Sequence, residues 1–188
     1  MKATYKEQIM RVKIRQWNHN ELVPPDMMDQ LMTIEEVCFK PEIQESYESK
    51  RNLIEQADIV LFAYDGPNII GEAYTATSAA GDMGEEGDPD AEHLKGLFEL
   101  MDQEDAVYCM SLAVLPDYRG QGVAKQLLWD TIQKCKESRF NLLYSHAKVG
   151  PSAHLFGLLG GQCVEERENW CGTGDTYILF RIPLWPED

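Results

Sequence analysis

The stretch "MSLAVLPDYRGQGVAKQLLWDTI", from Met110 to Ile132, decides how this chain folds. An apolar run ends at Pro116, a short turn carries Arg119-Gly120-Gln121-Gly122, and a helix-patterned segment follows at once. Val123, Ala124, Leu127, Leu128, Ile132 and Cys135 recur on one face of that segment, the mark of an amphipathic helix. A strand, a glycine turn and a helix start in this order let backbone N–H groups approach an anion. The helix end adds positive partial charge. Arg119, Lys125, Lys134, Lys136 and Arg139 face only Asp130 and Glu137 between positions 119 and 139, so positive charge gathers here.

Elsewhere the chain is acidic. Its 188 residues carry a formal net charge of −15, which argues against nucleic acid or an anionic membrane as the main partner. The length suits one domain, 1–188, with a core of useful size. The opening "MKATYKEQIMRVKIRQW" lacks the apolar core of a signal peptide, and runs such as "IVLFAY" are too short to span a bilayer. Five cysteines, odd in number and without a C-x-x-C pair, read as reduced thiols of a cytoplasmic protein, with no metal site.

Working outward, "RVKIRQW" alternates as a strand, and "PPDMMDQLMTIEEVCF" has apolar residues at helical spacing after two prolines. "ESYESKRNLIEQA" predicts a second helix opened by Ser46. "DIVLFAYDGPNIIGEAYTATSAA" predicts two strands around an Asp65-Gly66-Pro67-Asn68 turn. An acidic insert follows at about 81–105. From Asp82 to Asp105 ten acids stand against Lys95 alone, with a loop-like first half and a short helix at "AEHLKGLFELM". After the deciding stretch come a strand "FNLLYSHAKV", a short helix "SAHLFGLLGG", and a strand pair in "QCVEERENW" and "DTYILFRIPL". The predicted fold is α/β, a single-domain mixed β-sheet flanked by helices, ordered β-α-α-β-β-(acidic insert)-β-α-β-α-β-β.

The glycine turn fits neither of two common phosphate motifs. No G-x-x-x-x-G-K-[ST] occurs, and the G-x-G-x-x-G fingerprint fails at Lys125. The stretch "LAV", four residues, then "RGQGVA" resembles the GNAT superfamily of acetyl-CoA-dependent N-acetyltransferases. Arg119, Gly122 and Ala124 meet its short signature, and the element order matches over nearly the whole chain. The resemblance implies that the backbone of Leu112, Ala113 and Val114 pairs with the pantetheine arm of acetyl-CoA. It implies too that Arg119, Gly120, Gln121, Gly122, Val123, Ala124 and Lys125 surround the pyrophosphate. In many relatives a tyrosine in the next helix protonates the departing thiolate; here that position is Phe156, which has no proton to give.

The implied reaction is acetyl transfer to a primary amine, with a cationic small molecule as the expected acceptor because the acidic insert could steer one in. Alternatives are a protein or peptide N-terminal or lysine acetyltransferase, or a non-catalytic coenzyme A-binding module. A homodimer is compatible with the sequence. An alkylamine with a pKa of ~10 leaves roughly one molecule in a thousand as nucleophile at neutral pH, so a proton acceptor is needed. Candidates are Glu72, a carboxylate between Gly71 and Ala73 in an apolar strand, Tyr108 before the motif, and Tyr144 and His146, which share a strand face. Each has a plain reading as a packed core residue. His19, His93 and His154 read as surface or helix residues.

Overall fold

A computed structural model describes residues 12–18, 21–77 and 88–186. The leader reading of the first residues, His19, and the loop reading of 81–87 lie outside the described residues.

β1 (Val12–Trp17) is followed by α1 (Pro25–Cys38) and α2 (Tyr47–Gln56), then the hairpin β2 (Ile59–Asp65) and β3 (Asn68–Ala76). α3 (Pro89–Glu104) fills the second half of the acidic insert. β4 (Ala106–Val114), α4 (Val123–Glu137), β5 (Leu142–Lys148), α5 (Pro151–Leu158), β6 (Gln162–Arg167) and β7 (Tyr177–Pro183) complete the chain. Pro25 opens α1, where its missing N–H costs nothing, and the Ser46 hydroxyl accepts from Ser49 N–H to cap α2 as expected. α3 is longer than the short helix expected. Asp88 caps it through Asp90 N–H and Pro89 starts it, so residues that read as loop composition are a helix start.

All seven strands form one mixed sheet in the order β1-β2-β3-β4-β5-β7-β6. Every pairing is antiparallel except β4 with β5. Both faces are covered, which is why β2 is apolar without alternation. Ile59, Leu61 and Ala63 face α4, while Val60 and Phe62 face α1 and α2. α3 lies on the same face as α1 and α2, farther along the sheet. It sets Leu97, Phe98 and Met101 against Ala106, Tyr108, Leu142, Tyr144 and Leu179.

The parallel pair is short. Its register runs Ala106↔Leu142, Val107↔Leu143, Tyr108↔Tyr144 and stops, although both strands continue. Past Tyr108, β4 remains paired with β3 as far as Val114, but its other edge is open. A V-shaped cleft thus opens at the sheet centre, with the glycine turn beyond its β4 arm.

Candidate active site

The β4 arm runs straight into the glycine turn. Gly120 (φ +71°) and Gly122 (φ +84°) take left-handed conformations, and Gly122 is the N-cap of α4. Apart from the adjoining residues, no atom lies within 4 Å of where a Cβ would stand on either, so the space beside the turn is open and a backbone approach is unobstructed. The first helical hydrogen bond runs from Gln126 N–H to the Gly122 carbonyl, which leaves the N–H groups of Val123, Ala124 and Lys125 without intrahelical acceptors. No acid sits in the first turn of α4. Arg119 secures the turn to β4: its Nε donates to the Val114 carbonyl at 2.9 Å, and its guanidinium touches Cys38 Sγ. Gln121 donates back to the Asp117 carbonyl, and Val123 is buried in the core. The residues expected around a pyrophosphate thus lie on one turn and helix start, with Val123 turned into the core and the N–H groups of Val123, Ala124 and Lys125 outside the helical ladder.

Leu112, Ala113 and Val114 stand at the end of β4, opposite Ala73, Glu72 and Gly71 of β3. β3 comes unusually close there. A Cβ on Gly71 would lie 2.8 Å from the Ala113 carbonyl and 3.3 Å from Leu127 of α4, so only glycine allows this spacing.

On the α1–α2–α3 face, a cavity of about 140 Å³ opens beside the cleft. Glu35 and Glu45 line one side, and Tyr74, Tyr108, Trp170 and Tyr177 supply aromatic surface. Two connections close over it and are tied together. Lys40, between α1 and α2, reaches Asp175 at 2.8 Å and the Thr173 carbonyl at 2.7 Å, and Lys148 also reaches Asp175, at 2.7 Å. The two lysines hold the Asp175 carboxyl below its ordinary range.

The structure separates the four proton-transfer candidates. Tyr108 and His146 both line the cavity. The Tyr108 hydroxyl lies 2.7 Å from His146 Nδ1 and accepts the His146 backbone N–H at 3.3 Å. Burial pushes the Tyr108 phenol well up. His146 is pushed down to about 3 by burial, with His93 and Arg167 adding to the effect, so its ring is neutral at physiological pH. Trp170 stacks on that ring at 4.0 Å and 18°. Tyr144 shares the strand face with His146 but lies one pair deeper. It donates to Glu104 at 2.7 Å near the end of α3 and does not line the cavity.

Glu72 is fully buried beneath the cavity, and it is not the unpaired carboxylate its sequence neighbours suggest. Lys50, dipping inward from α2, lies 2.5 Å from Glu72 and 2.6 Å from Glu35, and Ser111 donates to the same Glu72 oxygen at 2.9 Å. Its second oxygen has no hydrogen-bond partner among the described residues. Burial raises the Glu72 carboxyl against the pull of Lys50. Burial opposes the Lys50 charge too, but Glu72, Tyr74 and Glu35 outweigh it and hold the ammonium well above its ordinary range. Both groups thus sit above their ordinary ranges, Glu72 through burial and Lys50 through its acidic partners. Lys50 and Glu35 gave no sequence signal, because a lysine and a glutamate on amphipathic helices read as solvent-facing until the helices are docked. Phe156 is buried in the core against Phe180, with ring centroids 5.7 Å apart.

Among the described residues no helix is long and apolar enough to cross a membrane. Comparison with known proteins gives a consistent family. Residues 26–160 match the model of the acetyltransferase (GNAT) family. The ribosomal-protein-S18-alanine N-acetyltransferase from Escherichia coli is 15% identical, with 94% of this chain and 96% of that one covered at a TM-score of 0.64. Aminoglycoside 6'-acetyltransferase type Ii is 14% identical over 94% and 99%, at 0.65. The protein yncA from Salmonella typhimurium, solved with its cofactor acetyl-CoA, is 14% identical over 94% and 96%, at 0.64. No curated protein matches the chain in sequence. The chain belongs to the GNAT family and is an acetyl-CoA-dependent acetyltransferase.

Proposed function

We propose that this acetyltransferase places its acetyl group on the primary amine of a cationic small molecule. The observation that carries the acceptor class is the cavity wall, where Glu35 and Glu45 stand beside Tyr74, Trp170 and Tyr177. Carboxylates and aromatic faces both favour an ammonium group. Glu35 and Glu72 both hold the ammonium of Lys50, and Glu45, which accepts from the Ser49 hydroxyl, adds a third carboxylate at the cavity wall. At about 140 Å³ the space suits the amine end of a small molecule better than a folded peptide segment.

The cradle from Arg119 to Lys125 would hold the pyrophosphate, and the open edge of Leu112, Ala113 and Val114 would pair with the pantetheine arm. Acetyl-CoA then supplies the acetyl group as a thioester open to direct attack by the amine. A backbone N–H on the open β4 edge is suited to polarise the thioester carbonyl. Tyr108 receives the ammonium proton while passing its own to His146, whose neutral ring has Nδ1 directed at the phenol. Glu72, walled off by Lys50 and Ser111, supports the cavity's negative potential and does not take the proton itself.

A free-thiol release assay over diamines, aminoglycosides, neutral amines and peptides tests this reading. The expected result is a kcat/KM at least about tenfold higher for amines bearing a second cation, falling with salt. Glu45→Gln should raise KM for those amines with little change in kcat. Turnover confined to peptides would support the protein-acetylating alternative. Equal rates for cationic and neutral amines would remove the charge argument.

A further inference from the structure

Beyond Tyr108 and His146 the hydrogen bonds continue. His146 Nε2 lies 3.2 Å from His93 Nε2, and His93 Nδ1 lies 3.4 Å from Glu165 Oε1. His93 belongs to α3, the helix of the acidic insert, and Glu165 to β6 at the sheet edge. The first turn of α3 is clamped there. Asp90 accepts from Arg167 at 2.8 Å and from Cys171 N–H at 2.8 Å, and His93 follows three residues later on the same face. Glu165, at 39% side-chain exposure, is the first member of the series in contact with solvent to that extent.

The directions of these bonds follow from their ends. The Tyr108 oxygen already accepts the His146 backbone N–H, so its buried O–H is satisfied only by donating to His146 Nδ1. His146 then carries its proton on Nε2 and donates to His93 Nε2. His93 carries its own on Nδ1, facing the Glu165 carboxylate. The opposite polarity would leave the phenol proton orphaned and aim a nitrogen lone pair at an anion. His93, His146 and Glu165 also offer one ligand atom each within 4.8 Å of one another, so a metal ion is the competing occupant and the chelator arm of the test below decides between the two. Glu165 and His146 face different nitrogens of the His93 ring, the arrangement a hydrogen-bonded series requires.

We propose that His93 and Glu165 carry the amine proton from His146 out to solvent, so that the insert helix completes the catalytic apparatus; this rests on the acetyl-transfer reading above. An ammonium N–H bond breaks and the proton joins the Tyr108 oxygen as the phenol proton moves to His146 Nδ1. The His146 Nε2 proton moves to His93 Nε2, and the His93 Nδ1 proton to Glu165, which releases it to water. One proton leaves the amine and one reaches solvent. The rings are left in the opposite tautomers, which revert before the next turnover. His146 and His93 are both depressed by burial first, so neither ring retains the proton in passing. The other charged groups at these rings are Arg167 of β6 and Asp90 of α3. Arg167 lowers both rings' pKa values, and Asp90 opposes it.

The test uses the full chain with its best amine. His93→Gln, which bridges but cannot relay, should lower kcat about 10- to 100-fold with KM within about threefold and an unchanged melting temperature. External imidazole should restore part of the activity of His93→Ala. Glu165→Gln should lower kcat about threefold or more, and Glu165→Asp should recover it. Wild-type kcat against deuterium fraction should curve, as several protons move together, and become linear in His93→Gln. A His93→Gln kcat within twofold of wild type across pH overturns the relay, as does a loss that merely tracks the melting temperature. Activity lost to a chelator and restored by zinc overturns it in favour of a metal site. If wild type turns over no amine, the acetyl-transfer reading fails on its own. Nitrogen-15 NMR then still decides the relay: protons on His146 Nε2 and His93 Nδ1 uphold its polarity, and the reverse pair overturns it.

Discussion

Tyr108 of β4 and His146 of β5 meet where their strands part. Tyr108↔Tyr144 is the last parallel pair, and immediately beyond it the Tyr108 hydroxyl bonds both His146 Nδ1, at 2.7 Å, and the His146 backbone N–H, at 3.3 Å. A side chain thus takes over from the ladder at the base of the cleft, and a phenol is held at the cavity wall. Tyr108→Phe keeps the ring packing against Phe98 but removes both bonds. The expected result is a kcat lowered about 10- to 100-fold with acetyl-CoA affinity unchanged, read by steady-state kinetics beside calorimetry. Full activity in Tyr108→Phe would exclude the phenol from proton transfer.

Gly122 offers a strain-matched test of the anion cradle. At φ +84° any side chain costs on the order of 1–2 kcal/mol of stability, so Gly122→Ala and Gly122→Glu should melt at similar temperatures. Only the carboxylate repels a pyrophosphate. Calorimetry should show acetyl-CoA binding weakened in Gly122→Ala and abolished in Gly122→Glu. Equal affinities in the two variants would remove the turn from the binding site.

Lys50 should reveal itself in alkali. Its folded pKa lies above the unfolded value, so the stability it contributes is fully present below a pH of ~10.4 and is lost as pH rises through the higher folded value. Wild type should therefore lose stability in this range, and Lys50→Met should lack that component. Lys50→Met leaves Glu35 and Glu72 facing each other in the interior, a loss of about 3–5 kcal/mol at neutral pH by denaturant unfolding. A near-neutral effect would mean that the cluster is more hydrated than its burial indicates.

Gly71 couples packing to the cofactor edge. A methyl group there meets the Ala113 carbonyl at 2.8 Å and presses toward Leu127, so Gly71→Ala should cost about 1–3 kcal/mol. The displaced strand end includes Ala113 and Val114, so acetyl-CoA affinity should fall with stability. Thermal melts and calorimetry on the same sample would show both; a drop in stability alone would uncouple β3 from the binding edge.

Neutralising the acidic insert to test charge steering must spare Asp90. That carboxylate clamps α3 to Arg167 and Cys171, so its loss would confuse structure with electrostatics. Asp88→Asn keeps an oxygen that can accept the Asp90 N–H but removes a charge at the start of α3, where it suits the helix dipole. Glu92 is exposed and is neither clamp nor cap, and Glu92→Gln should lower kcat/KM for a cationic amine modestly at low salt and not at high salt.

The order of strands and helices, the glycine turn and the family were legible along the chain, because each depends on residues near one another in sequence. Alternation, helical spacing, caps and a φ-permissive glycine are local properties, and Met110 to Ile132 holds strand, turn and helix in one window. Tyr108 and His146 could be singled out as chemistry-bearing residues on neighbouring elements, but nothing local showed that they touch while Tyr144, two residues from His146, turns away. Lys50 beneath the cavity and His93 against His146 were out of reach for a stronger reason. Lys50 meets Glu72 across 22 residues and His93 meets His146 across 53, and each sits on a helix whose own pattern is that of an ordinary amphipathic surface. Which polar side chains of such a helix point inward is settled only when the helix docks on the sheet. Burial then compels those groups to find partners, and the tertiary structure alone decides which ones they find.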